Sequence, residues 1–387
     1  MSEIIQNAGI PTKPHYPILD GLRGVAAIIV VWYHVFEGYA TSHIDQIINH
    51  GYLAVDFFFI LSGFVIAYAY DDRWGKLTTS DFFKRRLIRL HPMVIIGALI
   101  GCVMFYTQGC DWWDVSVVAF SSLLLGTLMN MFMIPATPAI EVRGIGEMFP
   151  LNGPSWSLFF EYIGNILYCL FIRRFSNLAL SLMVITIGVL LSWLVILGPQ
   201  GDIGYGWQLT LKHGMAGFFR MLFSFSLGLL MFRFVKPGKI KGAFGIASLV
   251  LILFLVIPRV GDENSLWKNG IYDMFCVAAL FPLLVYIGIS GKLESNFSKR
   301  TCKFLGDISY PLYIVHYPFI YLYIAWVKNE NLPFSQSWYG AVGVMVVSMA
   351  LAYLSLKHYD EPVRKWITAK LAQAKSRVEL AGDGEKV

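Results

Sequence analysis

The chain has 387 residues, of which 56% are hydrophobic and 14% charged, with a formal net charge of +6. A soluble domain carries about 25% charged residues, so a globular enzyme with one anchor is excluded and an all-α, polytopic membrane protein is expected. The positive charge falls in loops between apolar stretches, which speaks for membrane-side bias rather than for nucleic acid as a partner.

Taken in order, apolar stretches near 20 residues long occupy 16–38, 51–70, 92–108, 115–133, 155–172, 177–196, 214–232, 242–258, 270–290, 304–326 and 339–357. Loop 71–92 holds six Lys/Arg, 172–177 two, 233–241 four, 291–303 four and the tail 357–387 seven. Loop 39–50 holds none, 109–154 one, 196–213 one, 259–269 two and 327–338 one. The positive-inside rule puts the first set in the cytoplasm and the second outside. Strict alternation through eleven spans would put Arg173, Arg174 and the basic tail outside. About ten crossings plus one non-crossing segment, 115–133, place every loop correctly, with both termini cytoplasmic. Irregular backbone at membrane depth needs cover from protein or water, so 115–133 is expected to wall an external cavity.

The expected organisation is a cytoplasmic N-terminus (1–15), a transmembrane body (16–358) and a cytoplasmic tail (359–387), disordered from about residue 371. No removable signal peptide and no room for a further soluble catalytic domain are read. The five cysteines are scattered without C-x-x-C spacing, so neither a disulfide framework nor a metal site is expected.

The first span carries Arg23 and His34, eleven positions apart. That is about three turns plus 20°, so both project from one helix face, about 16 Å apart along the axis. A charge in hydrocarbon is costly and calls for a partner or a task. With the N-terminus inside, Arg23 lies near the cytoplasmic face and His34 near the outer face. Asp56 at the outer start of the second span, and Trp156, Ser157 and Glu161 at the outer start of the fifth, are expected at the depth of His34. A His oriented by a carboxylate is a general-base arrangement, with Asp56 or Glu161 as the orienting group. The plainer reading of these residues is polar glue between helices.

On the inner side, Arg86 and Arg89 share a helix face and suit a polyanion, with Arg23 deeper in. Lys84 and Arg85 are explained by anchoring to anionic membrane lipid. Arg220 has three open roles: pairing with Asp56, pairing with Glu161, or touching an acceptor. His316, near mid-membrane, reads first as a helix contact and second as a functional group.

The segments LDGLRG…H, AVDFFFILSGFVI, RRLIRLHP, LNGPSWSLFFEY, GDISYPLYIVHYP and YDEPVRKW together resemble the acyltransferase 3 family, over residues 18–366 and in the family's order. The chain departs where the family commonly has S-x-E and this sequence reads Phe159–Glu161 as FFE, and where Leu90-His91-Pro92 replaces a common Tyr-Pro ending.

The resemblance implies O-acylation, most often O-acetylation, of a carbohydrate or lipid-linked glycan outside the cytoplasm. It implies cytoplasmic acyl-CoA (acetyl-CoA or another) as co-substrate and residence in a bacterial plasma membrane. Carried over, His34 is the acid/base or acyl carrier, with Asp56 and Glu161 beside it. Arg23 is a donor-side residue, and Arg86 and Arg89 bind the CoA phosphates. The absence of the family's C-terminal esterase-like fusion implies a stand-alone version. The competing class is a proton-coupled transporter, whose intramembrane charges would form a relay, although no inverted repeat is visible.

Overall fold

The computed structural model describes residues 13–384, so most of the expected N-terminal segment 1–15 and the last three residues of the tail lie outside the described residues. The first half builds α1 (Pro17–Glu37), α2 (Ala54–Tyr70), α3 (Thr79–Met104), α4 (Phe120–Met131), α5 (Ser155–Leu170), α6 (Asn177–Leu197) and α7 (Leu211–Phe234). Then follow α8 (Ala243–Val256), α9 (Trp267–Phe275), α10 (Phe281–Ser290), α11 (Asn296–Val315), α12 (Tyr317–Asn329), α13 (Phe334–Ser355) and α14 (Glu361–Gly384). Local chemistry sets the starts. Pro17 opens α1, where a missing N–H costs nothing. Thr78 and Asp81 form a reciprocal capping box on α3, and Ser176, Thr210 and Ser295 cap α6, α7 and α11.

Among the described residues, eight helices are long and apolar enough to cross a membrane. The two other crossings expected from the sequence take different forms. Stretch 242–258 holds only the 14-residue α8, about 21 Å long against a hydrocarbon core of about 30 Å. Stretch 304–326 is broken at His316 between α11 and α12. The break has a chemical cause in Pro318, which lacks the N–H that would bond the carbonyl of Ile314. The Asn152 side-chain amide donates to that freed carbonyl at 2.8 Å, and His316 Nδ1 reaches the carbonyls of Leu312 and Tyr313 at 3.1 and 3.0 Å.

Stretch 115–133 contains the 12-residue α4, too short at about 18 Å to cross. Its first residues, Val115 and Ser116, line a cavity with Cys110 and Asp114, while α4 itself lines none of the larger cavity between loops 39–50 and 199–213. Phe120, Leu124, Leu125 and Leu128 lie exposed along α4, an apolar face suited to lipid rather than water. The tail also departs from expectation: a π turn at Leu356–Asp360 joins α13 to α14, which runs on to Gly384. The stretch LAQAKSRVEL is rich in strong helix formers, which carry the helix past residue 371.

Small residues set the packing. Gly21 lies against Cys302 and Gly24 against the backbone of Leu305, so α1 and α11 run parallel in close contact. Gly63 against the backbone of Phe225 and Gly228 against that of Ile60 do the same for α2 and α7. Loops rich in Lys and Arg gather at one end. There Arg233 pairs with Asp71 at 2.9 Å and donates to the carbonyl of Phe175 at 2.8 Å, and Arg173 lies 3.9 Å over the Trp74 ring. Loops 39–50 and 199–213, poor in basic residues, meet at the opposite end around a cavity.

Candidate active site

At the basic end, α1, α3, α5, α11 and α14 bring arginines together. Arg23 Nη2 lies 3.1 Å from Asp20, and its Nε donates to Ser309 of α11 at 2.9 Å. His15, just before α1, sits 2.6 Å from Asp20, and this hydrogen bond holds its imidazole above the usual histidine range, which adds positive charge. Arg86 and Arg89 lie one turn apart on α3, and Arg364 of α14 is ion-paired with Asp360. Arg89 feels the charges of Arg23, Arg86, Arg364 and Asp20 at once. Four guanidinium groups thus share three carboxylates, those of Asp20, Glu161 and Asp360. Arg86 Nε and Arg364 Nε are buried without a hydrogen-bond partner. Buried donors of this kind represent unused anion-binding capacity.

Glu161 belongs to this end, not beside His34. Its Oε1 accepts from Arg86 Nη2 at 2.8 Å and from the Ser62 hydroxyl at 2.8 Å. The reason lies in α3, which begins at Thr79, well before its apolar stretch, and so carries Arg86 two turns into the bundle. Glu161, two turns down the antiparallel α5, meets it there.

At the opposite end the partner of His34 is Glu37, one turn further along α1, with 2.8 Å between Nδ1 and Oε2. Neither Asp56 nor Glu161 touches the imidazole. Asp56 is fully buried and held by Arg220 through contacts of 2.6 and 3.0 Å, with the Ser224 hydroxyl at 3.3 Å. Of the three roles open to Arg220, pairing with Asp56 is the one present. Its remaining donors reach the carbonyls of Tyr205 and Tyr52 at 3.0 and 2.7 Å, and it lies 5.3 Å from the Trp156 ring. Such a saturated buried pair is an anchor between α2 and α7. The Ser157 hydroxyl bonds the Tyr313 hydroxyl at 2.7 Å, which ties α5 to α11 below the site.

His34 is not the lone intramembrane histidine of this end. The His316 ring lies 5.5 Å away, Tyr317 4.7 Å and Tyr33 4.9 Å. His316, at the break before Pro318, keeps helical backbone angles and packs its ring against His34 of α1. Above this group opens a cavity of about 640 Å³, lined by Tyr33, Glu37, Tyr52, Trp112, Asp202 and Trp207 among others. Glu37 therefore belongs both to the imidazole and to the cavity wall. Its carboxylate fixes the proton on Nδ1 of His34 and leaves the Nε2 lone pair free to take a proton.

Several of these residues escaped the sequence reading. Glu37 had a visible signal, three positions after His34 on the same helix face. Arg364 and Asp360 lie inside the segment YDEPVRKW, quoted only for its resemblance. Glu147 had no signal. It is 4% exposed in the loop before α5 and accepts from the Tyr321 hydroxyl, and burial pushes its carboxyl up to about 7. The Tyr321 ring packs 4.6 Å from Tyr317, which itself touches His34.

A family model described as an acyltransferase domain matches residues 16–357. The chain belongs to the acyltransferase 3 family. The match spans both the arginine cluster, apart from His15 and the pair Asp360 and Arg364, and the whole imidazole site. Among curated relatives, the O-acetyltransferase OatA of Staphylococcus aureus is 25% identical over 384 residues, covering 91% of this chain and 58% of the relative. The peptidoglycan O-acetyltransferase OatA of Listeria monocytogenes is 26% identical over 392 residues, covering 92% and 56%. A Rhizobium radiobacter protein named protein 2 in picA locus is 32% identical over 159 residues, covering 39% and 79%. The chain thus spans less than two thirds of the length of these relatives named OatA. No solved structure matches it significantly.

Proposed function

We propose that this protein moves an acyl group, acetyl in the first instance, from cytoplasmic acyl-CoA to a hydroxyl of a carbohydrate or lipid-linked glycan outside the cytoplasm. One observation carries the reading. A single helix, α1, joins a cluster of arginines at the basic end to a carboxylate-oriented imidazole under a cavity at the other end. The loop charges orient the basic end to the cytoplasm and leave both termini there. The names of the relatives in Staphylococcus and Listeria support acetyl as the group and a cell-wall glycan as the acceptor.

In this reading Arg23, Arg86 and Arg89, joined by Arg364, hold the donor phosphates. Arg86 must exchange Glu161 for phosphate, and its free Nε makes that exchange possible. The thioester arm extends along α1 toward His34. The acceptor enters the outer cavity, whose Trp207 and Trp112 offer flat apolar faces among polar groups. His34 Nε2 takes the hydroxyl proton as the oxygen bonds the acyl carbon. The carbon–sulfur bond breaks, and the proton passes to the departing thiolate. A positioned base contributes about 10²–10⁴ in rate.

The test uses purified protein in lipid discs with labelled acetyl-CoA and soluble glycan fragments. Label is expected in an alkali-labile ester, and His34→Ala is expected to abolish transfer with CoA affinity intact. Absence of donor consumption, or wild-type transfer in correctly inserted His34→Ala, overturns the reading. Solute movement without acetyl-CoA consumption would assign the chain to the transporters.

A further inference from the structure

His316 is fully buried, yet its Nε2 has no hydrogen-bond partner. A buried polar atom left without a partner calls for an explanation. Its other nitrogen settles the protonation. Nδ1 faces two carbonyl oxygens, of Leu312 and Tyr313, which can only accept, so Nδ1 carries the proton. Nε2 is therefore a lone pair held in an apolar interior, an acceptor lacking a donor. The same logic applies to His34, whose Nδ1–H is committed to Glu37. Two imidazoles with both Nδ1 positions occupied stand side by side, ring centres 5.5 Å apart and planes inclined by 32°. No hydrogen bond joins the two rings at rest, and at this separation a small ring rotation would bring the two Nε2 atoms within reach of one N–H···N bond.

We infer that His316 is a positioning residue that receives the Nε2–H of His34 once His34 has taken the acceptor's proton, and so holds the imidazolium at the moment of acyl transfer. The inference rests on His34 as the base, and it adds a role for the break at Pro318. The balance is simple. The acceptor O–H bond breaks and its proton goes to His34 Nε2. The oxygen bonds the acyl carbon, and the carbon–sulfur bond releases thiolate. The proton, held between the two Nε2 atoms, then passes to the thiolate, and both imidazoles return to neutral. No external oxidant, reductant or further reactant enters. A neutral acceptor suits this task better than a carboxylate, because it steadies the N–H without neutralising it and lets the proton go on.

Two other donors compete for the lone pair: an amide N–H of the thioester arm and a second hydroxyl of the acceptor. Each predicts a different kinetic change. Holding the His34 imidazolium is a transition-state effect, so His316→Gln and His316→Ala should lower kcat by about tenfold and about a hundredfold, with both KM values unchanged. Gln keeps an acceptor oxygen near the Nε2 position and should retain the larger share. A raised donor KM or a raised acceptor KM, with kcat intact, overturns the inference in favour of the corresponding contact.

Chemical rescue separates this role from packing. Imidazole added to His316→Ala should restore turnover. Pyrrole, of the same ring size but without an in-plane nitrogen lone pair to accept a hydrogen bond, should not. Equal rescue by both, or full activity in either variant, overturns the inference. Should His316→Ala fail to insert, His316→Gln with the KM-against-kcat comparison decides the matter alone. These outcomes are distinct from failure of the functional reading, which shows in wild-type protein and in His34→Ala.

Discussion

The two ends of α1 solve opposite electrostatic problems. At the basic end, four guanidinium groups and a proton-rich His15 crowd around three carboxylates, with buried N–H donors to spare. At the other end, Arg220 pairs with Asp56 and His34 with Glu37, while Arg259 and His43 share Asp202. Clustered guanidinium groups at one end and an imidazole held by a carboxylate at the other is the division expected of a site that captures a polyanion and a site that passes protons. A capture site must be left short of partners, because the ligand supplies them. A proton-transfer site must be well ordered before the ligand arrives, because a misplaced lone pair loses rate.

This contrast can be broken at graded points. The largest effect is expected at Arg220→Leu, which strands Asp56 at 0% exposure. Removing one member of a buried pair costs about 3–5 kcal/mol, to be read as a loss of thermal stability in detergent, whereas loss of Arg89 should leave stability nearly unchanged. A melting curve unmoved by Arg220→Leu would show that the outer end is not built on this pair. Next comes Glu37→Gln. It should lower kcat by about a hundredfold, the lower end of what a positioned base contributes, and leave CoA affinity alone.

The inner end answers to a different assay. Arg86→Ala with Arg89→Ala should weaken CoA binding by about a hundredfold or more, at about 1.5–3 kcal/mol for each of two lost charged hydrogen bonds, and should flatten its salt dependence. Arg86→Lys should keep part of it as a point charge without the bidentate fork. Unchanged CoA affinity in the double variant would reassign the cluster to lipid anchoring.

The smallest effect concerns the loop before α5. Glu147 has its carboxyl raised from 4.5 to about 7, mainly by burial. The folded state then binds the proton more tightly than the unfolded chain. Its stabilising share is complete below about pH 4.5 and is lost as pH rises toward about 7. Hydrogen-exchange protection in loop 132–154, taken relative to the intrinsic base-catalysed rate, should fall across that window, and Glu147→Gln should remove that fall. A pH-independent loop in the wild type would contradict it.

Much of this contrast could be read in the sequence, and the failures have physical causes. The common face of Arg23 and His34 followed from the helical period, which tertiary contacts do not alter. The grouping of Arg23, Arg86 and Arg89 followed from loop charge. The placement of Glu161 failed because depth was counted from the edges of apolar stretches. The Thr78 capping box starts α3 thirteen residues earlier than its stretch at 92. The pairing of Asp56 with Arg220 was one of three open choices, because sequence gives depth along a helix but not which neighbour it faces. The break at His316 was hidden in plain sight: Pro318 marks it, but hydropathy averages straight across a single proline.

The glycine contacts between α1 and α11 fix a length. Gly21 and Gly24 sit so close to Cys302 and Leu305 that neither helix can slide by a turn without side chains colliding with backbone. This packing registers Arg23 to Ser309 and His34 to His316. The span of about 16 Å between Arg23 and the His34 imidazole is therefore a rigid ruler, and in the reaction proposed above the flexible partner is the donor itself. Reach, not affinity, then sorts the donors. A thioester on an arm shorter than the ruler would fill the arginine cluster, compete with the true donor, and never be consumed.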